Sequence, residues 1–145
     1  MIEKWSKDPS TQVGCVITTL DRRVLSTGYN GMPRGISDNE KEFPKRWDRD
    51  EDKYLFWEHA ERNAIFNAAY SGINLHGSVF YITLAPCMDC ARAIIQVGAH
   101  AVVWGQTKTD LYINKGRLDV SKSLELLKEA GVINYGLKTH PRPVV

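Results

Sequence analysis

The sequence predicts an α/β domain built on a mixed sheet with helices on its faces, and three features predict it. Two short β-branched runs, residues 12–19 and 24–29, flank the polar turn Leu20-Asp21-Arg22-Arg23, which is the pattern of an antiparallel hairpin. After the hairpin, strand-length apolar runs alternate with helix-length patterns, which calls for βαβ units and parallel pairing. A chain of 145 residues with 43% hydrophobic side chains is one domain of ordinary size with enough apolar material for a real core.

The elements follow in the order β-β-α-β-α-β-α-β. Residues 1–7 read as a short helix that stops before Pro9. The first strand, 12–19, carries Val13, Val16 and Ile17, and the Cys15 inside it reads as a small buried hydrophobe. Asn30 to Gly35, with two glycines and a proline, is a shaped loop. Residues 36–57 are charged and irregular, with Trp47, Tyr54, Phe56 and Trp57 interleaved; a loop this long is either packed down by its aromatics or functional. Residues 58–70 have Ala60, Ala64, Ile65, Ala68 and Ala69 among strong helix formers, so they read as a buried helix with His59 at its start and Ser71-Gly72 at its end. Residues 77–84 are a strand on Val79, Phe80, Tyr81 and Ile82. Pro86 suits a helix start, and 87–97 is a second helix ended by Gly98. Residues 100–104 are a strand, 106–117 a polar connection, 120–130 an amphipathic helix with Leu124, Leu126 and Leu127, and 132–137 a closing edge strand. The tail, 139–145, carries two prolines and is expected to be loosely held.

Composition excludes several classes of function. A net charge of +2 argues against a dedicated nucleic-acid binder, which concentrates basic residues. No run approaches the roughly 18 apolar residues of a membrane span, and residues 1–5 lack the apolar segment of a signal peptide. Three cysteines cannot all pair, and two of them sit in C-x-x-C, so a reducing, cytoplasmic setting is expected.

The chemistry concentrates in two stretches: His59-Ala60-Glu61 and Pro86-Cys87-Met88-Asp89-Cys90. Cys87 and Cys90 are three apart, so in one helical turn both sulfurs lie on one side, and a helix N-terminus favours thiolates. His59, Cys87 and Cys90 make three metal ligands. Structural zinc sites close with four, whereas catalytic sites keep the fourth position for water. Three ligands and a nearby carboxylate, Glu61, are therefore the pattern of a hydrolytic site. A redox C-x-x-C needs neither the histidine nor the glutamate. A structural zinc would need His76 or His100 as a fourth ligand.

These stretches, with Trp5-Ser6-Lys7-Asp8-Pro9-Ser10-Thr11-Gln12-Val13-Gly14 and Gly28-Tyr29-Asn30-Gly31-Met32-Pro33-Arg34-Gly35, resemble the cytidine and deoxycytidylate deaminase superfamily. H-x-E with P-C-x-x-C specifies the superfamily, and G-Y-N-G-M-P-R-G points to the nucleotide-monophosphate branch. The resemblance covers most of the first hundred or so residues. It implies a three-layer α/β/α cytidine-deaminase-like fold with a mixed five-stranded sheet, whose two site helices bring residue 59 and residue 87 onto one catalytic zinc. It implies hydrolysis of dCMP to dUMP and ammonia, a precursor supply for dTMP. Glu61 would shuttle protons, backbone at Ala60 would read the pyrimidine edge, and Asn30 would face the deoxyribose. A phosphate contact is expected from Ser6, Lys7 or Lys108. Some relatives are switched by dCTP and dTTP through the loop after the second strand. Gly31, Arg34, Gly35 and Asp38 match it, so a nucleotide triphosphate effector carried with Mg²⁺ is an open expectation. A second, structural zinc is not expected. The resemblance also makes the first helix look abbreviated, which with Trp5 points to a homo-oligomer. Rival readings are a tRNA adenosine deaminase, a guanine, cytidine or free-base deaminase, and a non-catalytic zinc module.

Overall fold

The computed structural model describes residues 1–138; the proline-bearing tail predicted for 139–145 lies outside the described residues. Five strands form one sheet in the order β2-β1-β3-β4-β5. β1 (Gly14–Thr18) and β2 (Val24–Tyr29) are the expected hairpin, antiparallel with a register shift between Ile17 and Thr18. β3 (Val79–Ile82) runs antiparallel to β1, and β4 (Ala101–Gly105) and β5 (Ile133–Leu137) continue parallel from it, with β5 at the edge. The sheet is thus mixed, as the hairpin followed by βαβ units requires.

Strand alternation sorts the side chains. Cys15, Ile17, Phe80, Ile82, Val102 and Trp104 share one face and join Ala64, Ile94 and Leu127 of three helices in the main core. Those helices are α2 (Ala60–Tyr70), α3 (Met88–Gln96) and α5 (Ser121–Glu129). Cys15 is fully buried, the small hydrophobe its strand position calls for. The opposite face is thinly covered. A 3-10 turn (Ile2–Trp5) stands where a short helix is expected, and with Tyr81, Val103 and Leu111 it lines an open groove.

Two regions differ from the sequence reading. The predicted polar connection over 106–117 contains a helix, α4 (Gln106–Asn114). Only Thr109 of it is buried, so it carries no apolar stripe to betray it. The long loop 36–57 holds a 3-10 turn (Pro44–Trp47) and a one-turn helix, α1 (Lys53–Phe56), pinned by a Trp47–Trp57 edge contact and by Trp57 Nε1 donating to the Arg46 carbonyl. No helix among the described residues is long and apolar enough to cross a membrane.

Candidate metal-dependent active site

Both site helices begin at the same end of the sheet, and each begins on a ligand. His59 is the N-cap of α2 and Cys87 the N-cap of α3. α2 reaches its position by unusually close packing on β2. A Cβ on Gly28 would sit 2.3 Å from the Ala60 carbonyl oxygen and 2.4 Å from the Ala64 nitrogen, so only glycine allows this approach. The stripe Ala60, Ala64 and Ala68 is the helix half of the same fit. Polar bonds set the register: Ser26 Oγ donates to the Ala64 carbonyl at 2.7 Å, and Asn63 and Asn67 amides donate to the Tyr29 and Thr27 carbonyls, each at 2.9 Å. Arg62 instead pairs with Glu58 one turn back.

The Cys87 turn is braced from the far side of the chain. Ala85 N donates to Thr109 Oγ1 at 2.9 Å, and Ser123 Oγ donates to the Pro86 carbonyl at 2.8 Å. Thr109 and Ser123 are functional supports that the sequence reading missed. Their signal was weak, a small polar residue in an unpatterned helix and another inside an amphipathic one.

His59 Nδ1 lies 3.3 Å from Cys87 Sγ and 3.4 Å from Cys90 Sγ. All three ligand atoms lie within 4.8 Å of one another, and they are a metal-capable group among the described residues. Zn–S near 2.3 Å and Zn–N near 2.0–2.1 Å at a tetrahedral angle put N and S about 3.6 Å apart, so the donors fit one zinc with little adjustment. The groups share protons tightly. The bond from the Cys90 thiol, and then His59, hold Cys87 down to about 4, while the Cys87 sulfur holds the His59 imidazole up at about 9. The Cys90 thiol is raised by its bond to Cys87 and by burial. A dication taking all three would displace the His59 and Cys90 protons, so its binding is coupled to pH. Neither His76 nor His100 belongs to the group.

Glu61, 4% exposed, borders a cavity of about 210 Å³ together with His59, Ala60 and Cys87. Burial, foremost, pushes its carboxyl up to about 7, so both protonation states are accessible near neutral pH, the condition for a group that must take up and deliver a proton. Asn30 also lines this cavity. Its amide group is already engaged: Oδ1 accepts from Val13 N at 2.8 Å, and Nδ2 donates to the Thr11 carbonyl at 2.8 Å and to Asp8 at 3.2 Å. One lone pair of Oδ1 remains for a ligand hydroxyl.

None of the three sequence candidates for an anion contact lines this cavity. Ser6 Oγ is spent on the Asn30 carbonyl. Lys7 pairs with Asp38 at 2.6 Å, and Lys108 holds Glu3 at 2.8 Å and also the Gln12 carbonyl. The cavity's cations are instead Arg49, Arg117 and the buried Lys53, with Tyr54 and Tyr112 beside them. Arg49 and Tyr54 come from the long loop, where charge runs hid them.

A second cavity, of about 460 Å³, lies across the Gly31–Glu58 bridge. Gly31, Arg34 and Asp38 border it, as do Lys7, Trp5 and Trp47; Gly35, in a left-handed turn at φ 82°, does not. Arg34 is anchored on Asn67 at 2.9 Å and stacks over Tyr70.

Comparison with known proteins agrees with this geometry. Residues 1–106 match the model of the cytidine and deoxycytidylate deaminase zinc-binding region. The chain is 41% identical over 127 residues to a probable deoxycytidylate deaminase of Drosophila melanogaster, covering 83% of this chain and 60% of that protein. It is 39% identical over 104 residues to the deoxycytidylate deaminase of Mus musculus, covering 71% and 57%. The chain thus spans under two thirds of the length of these relatives. A crystal structure of the dCMP deaminase of cyanophage S-TIM5 with dCMP and dUMP superimposes with a TM-score of 0.71 at 26% identity, over 93% of this chain and 88% of that one.

Proposed function

The chain belongs to the cytidine and deoxycytidylate deaminase family, and from that premise we propose that it hydrolyses dCMP to dUMP and ammonia. The observation that carries the reading is the buried Glu61 carboxyl on the wall of one cavity with His59 and Cys87, which group with Cys90 as candidate metal ligands. His59, Cys87 and Cys90 would hold a zinc ion, which would supply Lewis acidity to activate water near neutral pH. Glu61 accepts the proton that water gives up and delivers it to N3 of the cytosine as C4 takes on oxygen. Glu61 then carries the second proton to the 4-amino nitrogen, and the C4–N bond breaks to release ammonia. Atoms balance as dCMP plus water giving dUMP plus ammonia. Ala60 at the helix start presents backbone to the pyrimidine edge, and Asn30 Oδ1 accepts from a sugar hydroxyl. Arg49 and Arg117 at the same cavity replace Ser6, Lys7 and Lys108 as the candidates for the phosphate contact.

The second cavity supports control by a nucleotide triphosphate such as dCTP or dTTP, brought in with Mg²⁺. It offers aromatic walls at Trp5 and Trp47 and cations at Lys7 and Arg34, which suits a base and a polyphosphate. Exposed Trp5, Phe66 and Tyr70 support a homo-oligomer, and free thiols used as ligands suit a cytoplasmic setting.

Ammonia release from dCMP, CMP, deoxycytidine, dCTP, guanine and a tRNA anticodon stem tests the reading. Turnover is expected with dCMP far above the rest, from protein carrying about one zinc per chain. Equal kcat/KM on deoxycytidine and dCMP would replace it with a nucleoside deaminase, and zinc-loaded protein inert on all six would leave a binding module.

A further inference from the structure

Beside Arg49 and Tyr54, the long loop brings one buried charge to the cavity wall. Lys53 is the buried residue of α1, and its Nζ lies 2.8 Å from Asp8 Oδ1 and 3.1 Å from Ser10 Oγ, with both charged side chains 5% exposed. Asp8 is a hub. Its Oδ1 also accepts from Ser10 N at 2.8 Å, Ser10 Oγ at 2.9 Å and Thr11 N at 3.1 Å, and its Oδ2 accepts from the Asn30 amide at 3.2 Å. Tyr112 of α4 closes the circle with its hydroxyl 3.0 Å from both the Ser10 carbonyl and Thr11 Oγ1.

Three separate parts of the chain therefore meet at one carboxylate, the N-terminal segment, the turn after β2 and the long loop, and α4 joins them through Ser10 and Thr11. Each contributes a residue to the cavity wall, namely Thr11, Asn30, Tyr54 and Tyr112. A charge this deep is costly unless paired and hydrogen-bonded. Replacement by an apolar pair is often no worse for stability, so such a pair is weak evidence of a stabilising role. Its placement here gives it a different one.

We propose that the buried Asp8–Lys53 pair is a positioning device that sets substrate affinity by clamping the long loop and the Asn30 turn against the cavity wall. It acts through Asn30, Arg49 and Tyr54 rather than by touching substrate, and it stands apart from the metal ligands. Lys53 has two of its three N–H groups engaged by Asp8 and Ser10, and its Nζ lies over the Trp57 ring, 5.2 Å from the ring centre. The inference rests on the deaminase reading above.

The test replaces both charges at once, Asp8→Asn with Lys53→Met, so that neither is left stranded. Zinc content, melting and steady-state kinetics are then compared with wild type on dCMP and on deoxycytidine. Zinc per chain stays as in wild type, kcat stays within about threefold, and KM rises about tenfold or more on both substrates, the signature of lost uniform binding. Lys53→Met alone leaves Asp8 its other four donors and carries the same expectation should the double variant not fold. An unchanged KM for dCMP overturns the proposal, as does a loss confined to kcat. A KM rise on dCMP alone makes Lys53 a phosphate contact and overturns it too. Failure of both variants to fold reduces the pair to a folding element. Wild-type protein inert on dCMP would instead remove the parent reading, a result distinct from all of these.

Discussion

The two ends of the catalytic cavity are built by opposite means. The metal end stands on helix N-termini that are pressed against the sheet. His59 and Cys87 are caps, Gly28 permits backbone contact, and Thr109 and Ser123 fasten the Cys87 turn. The other end is assembled from segments far apart in sequence. Arg49 and Tyr54 come from the long loop, Tyr112 from α4 and Arg117 from the stretch after it. The first end needs rigid backbone because three ligand atoms must converge within a few tenths of an ångström. On the proposed reaction the second would recognise a dianionic phosphate, which exposed arginines can do. Substitutions at the two ends should therefore fail differently, in turnover and fold at one and in substrate preference at the other.

The largest effect is expected at the metal end. Glu61→Gln should leave zinc and melting near wild type while lowering kcat about 10²- to 10⁴-fold, the range for a general acid/base. Zinc by elemental analysis and kcat on dCMP check it together. Turnover within tenfold of wild type would remove Glu61 from proton transfer.

Next comes the platform. Gly28→Ala puts a Cβ into the Ala60 carbonyl and the Ala64 nitrogen, both backbone atoms that cannot swing aside. Overpacking of this kind costs typically about 1–3 kcal/mol. Because the shift falls on the helix that carries His59 and Glu61, activity should fall along with the melting temperature. A variant that melts early yet turns over at the wild-type rate would show that the ligand geometry does not depend on this contact.

This contrast also explains what the sequence made legible. His59, Glu61, Cys87 and Cys90 are chemically unusual and locally spaced, so spacing alone brings two thiolates to one side of a turn and a carboxylate two residues from a cap. The hairpin and the βαβ units were legible for the same reason, since alternation and helix periodicity are local. Helix α4 was not, because it buries one threonine and has no stripe. The end proposed for the phosphate was not, because arginines in a charged loop look like any solvated face. Lys7 and Lys108 lie near the site stretches in sequence, yet Asp38 and Glu3 occupy them, and those partners are 31 and 105 residues away. Non-local pairing is the information a single sequence hides best.

At the open end a smaller effect is expected. Hydrogen bonds to charged groups contribute about 1.5–3 kcal/mol, less where solvent reaches them, so Arg49→Ala and Arg117→Ala should each cost about five- to tenfold in kcat/KM on dCMP. Deoxycytidine should barely notice, and the gap between the two substrates should narrow. Lys108→Ala is the control and should alter stability slightly and preference not at all. An equal loss on both substrates from Arg49→Ala would mean that this arginine shapes the cavity without binding the phosphate.

The smallest effect separates the buried hub from both ends, and it is read in acid. Burial alone would raise the Asp8 carboxyl, but its bonds from Lys53, Ser10 and Thr11 more than offset that, and it is held below the usual carboxylate range. A group with a depressed folded value contributes stability that is complete above its unfolded value, near 3.8, and lost as pH falls through the folded one. Lys53 faces Asp8 directly and Arg49 lies within its field. The variant with Asp8→Asn and Lys53→Met has no such carboxylate. Glu3, Asp21 and Asp119, whose values are also lowered, are shared by both proteins and cancel in the comparison. Between pH 7 and pH 5 the difference in melting temperature between wild type and variant should therefore stay constant. Below about pH 4 wild type should lose ground to the variant by a few degrees, since for a chain of this size about 1 kcal/mol moves the midpoint by that much. A difference that stays flat to pH 2.5 would mean that Asp8 is not held as a buried carboxylate, and the clamp on the cavity wall would lose its charge.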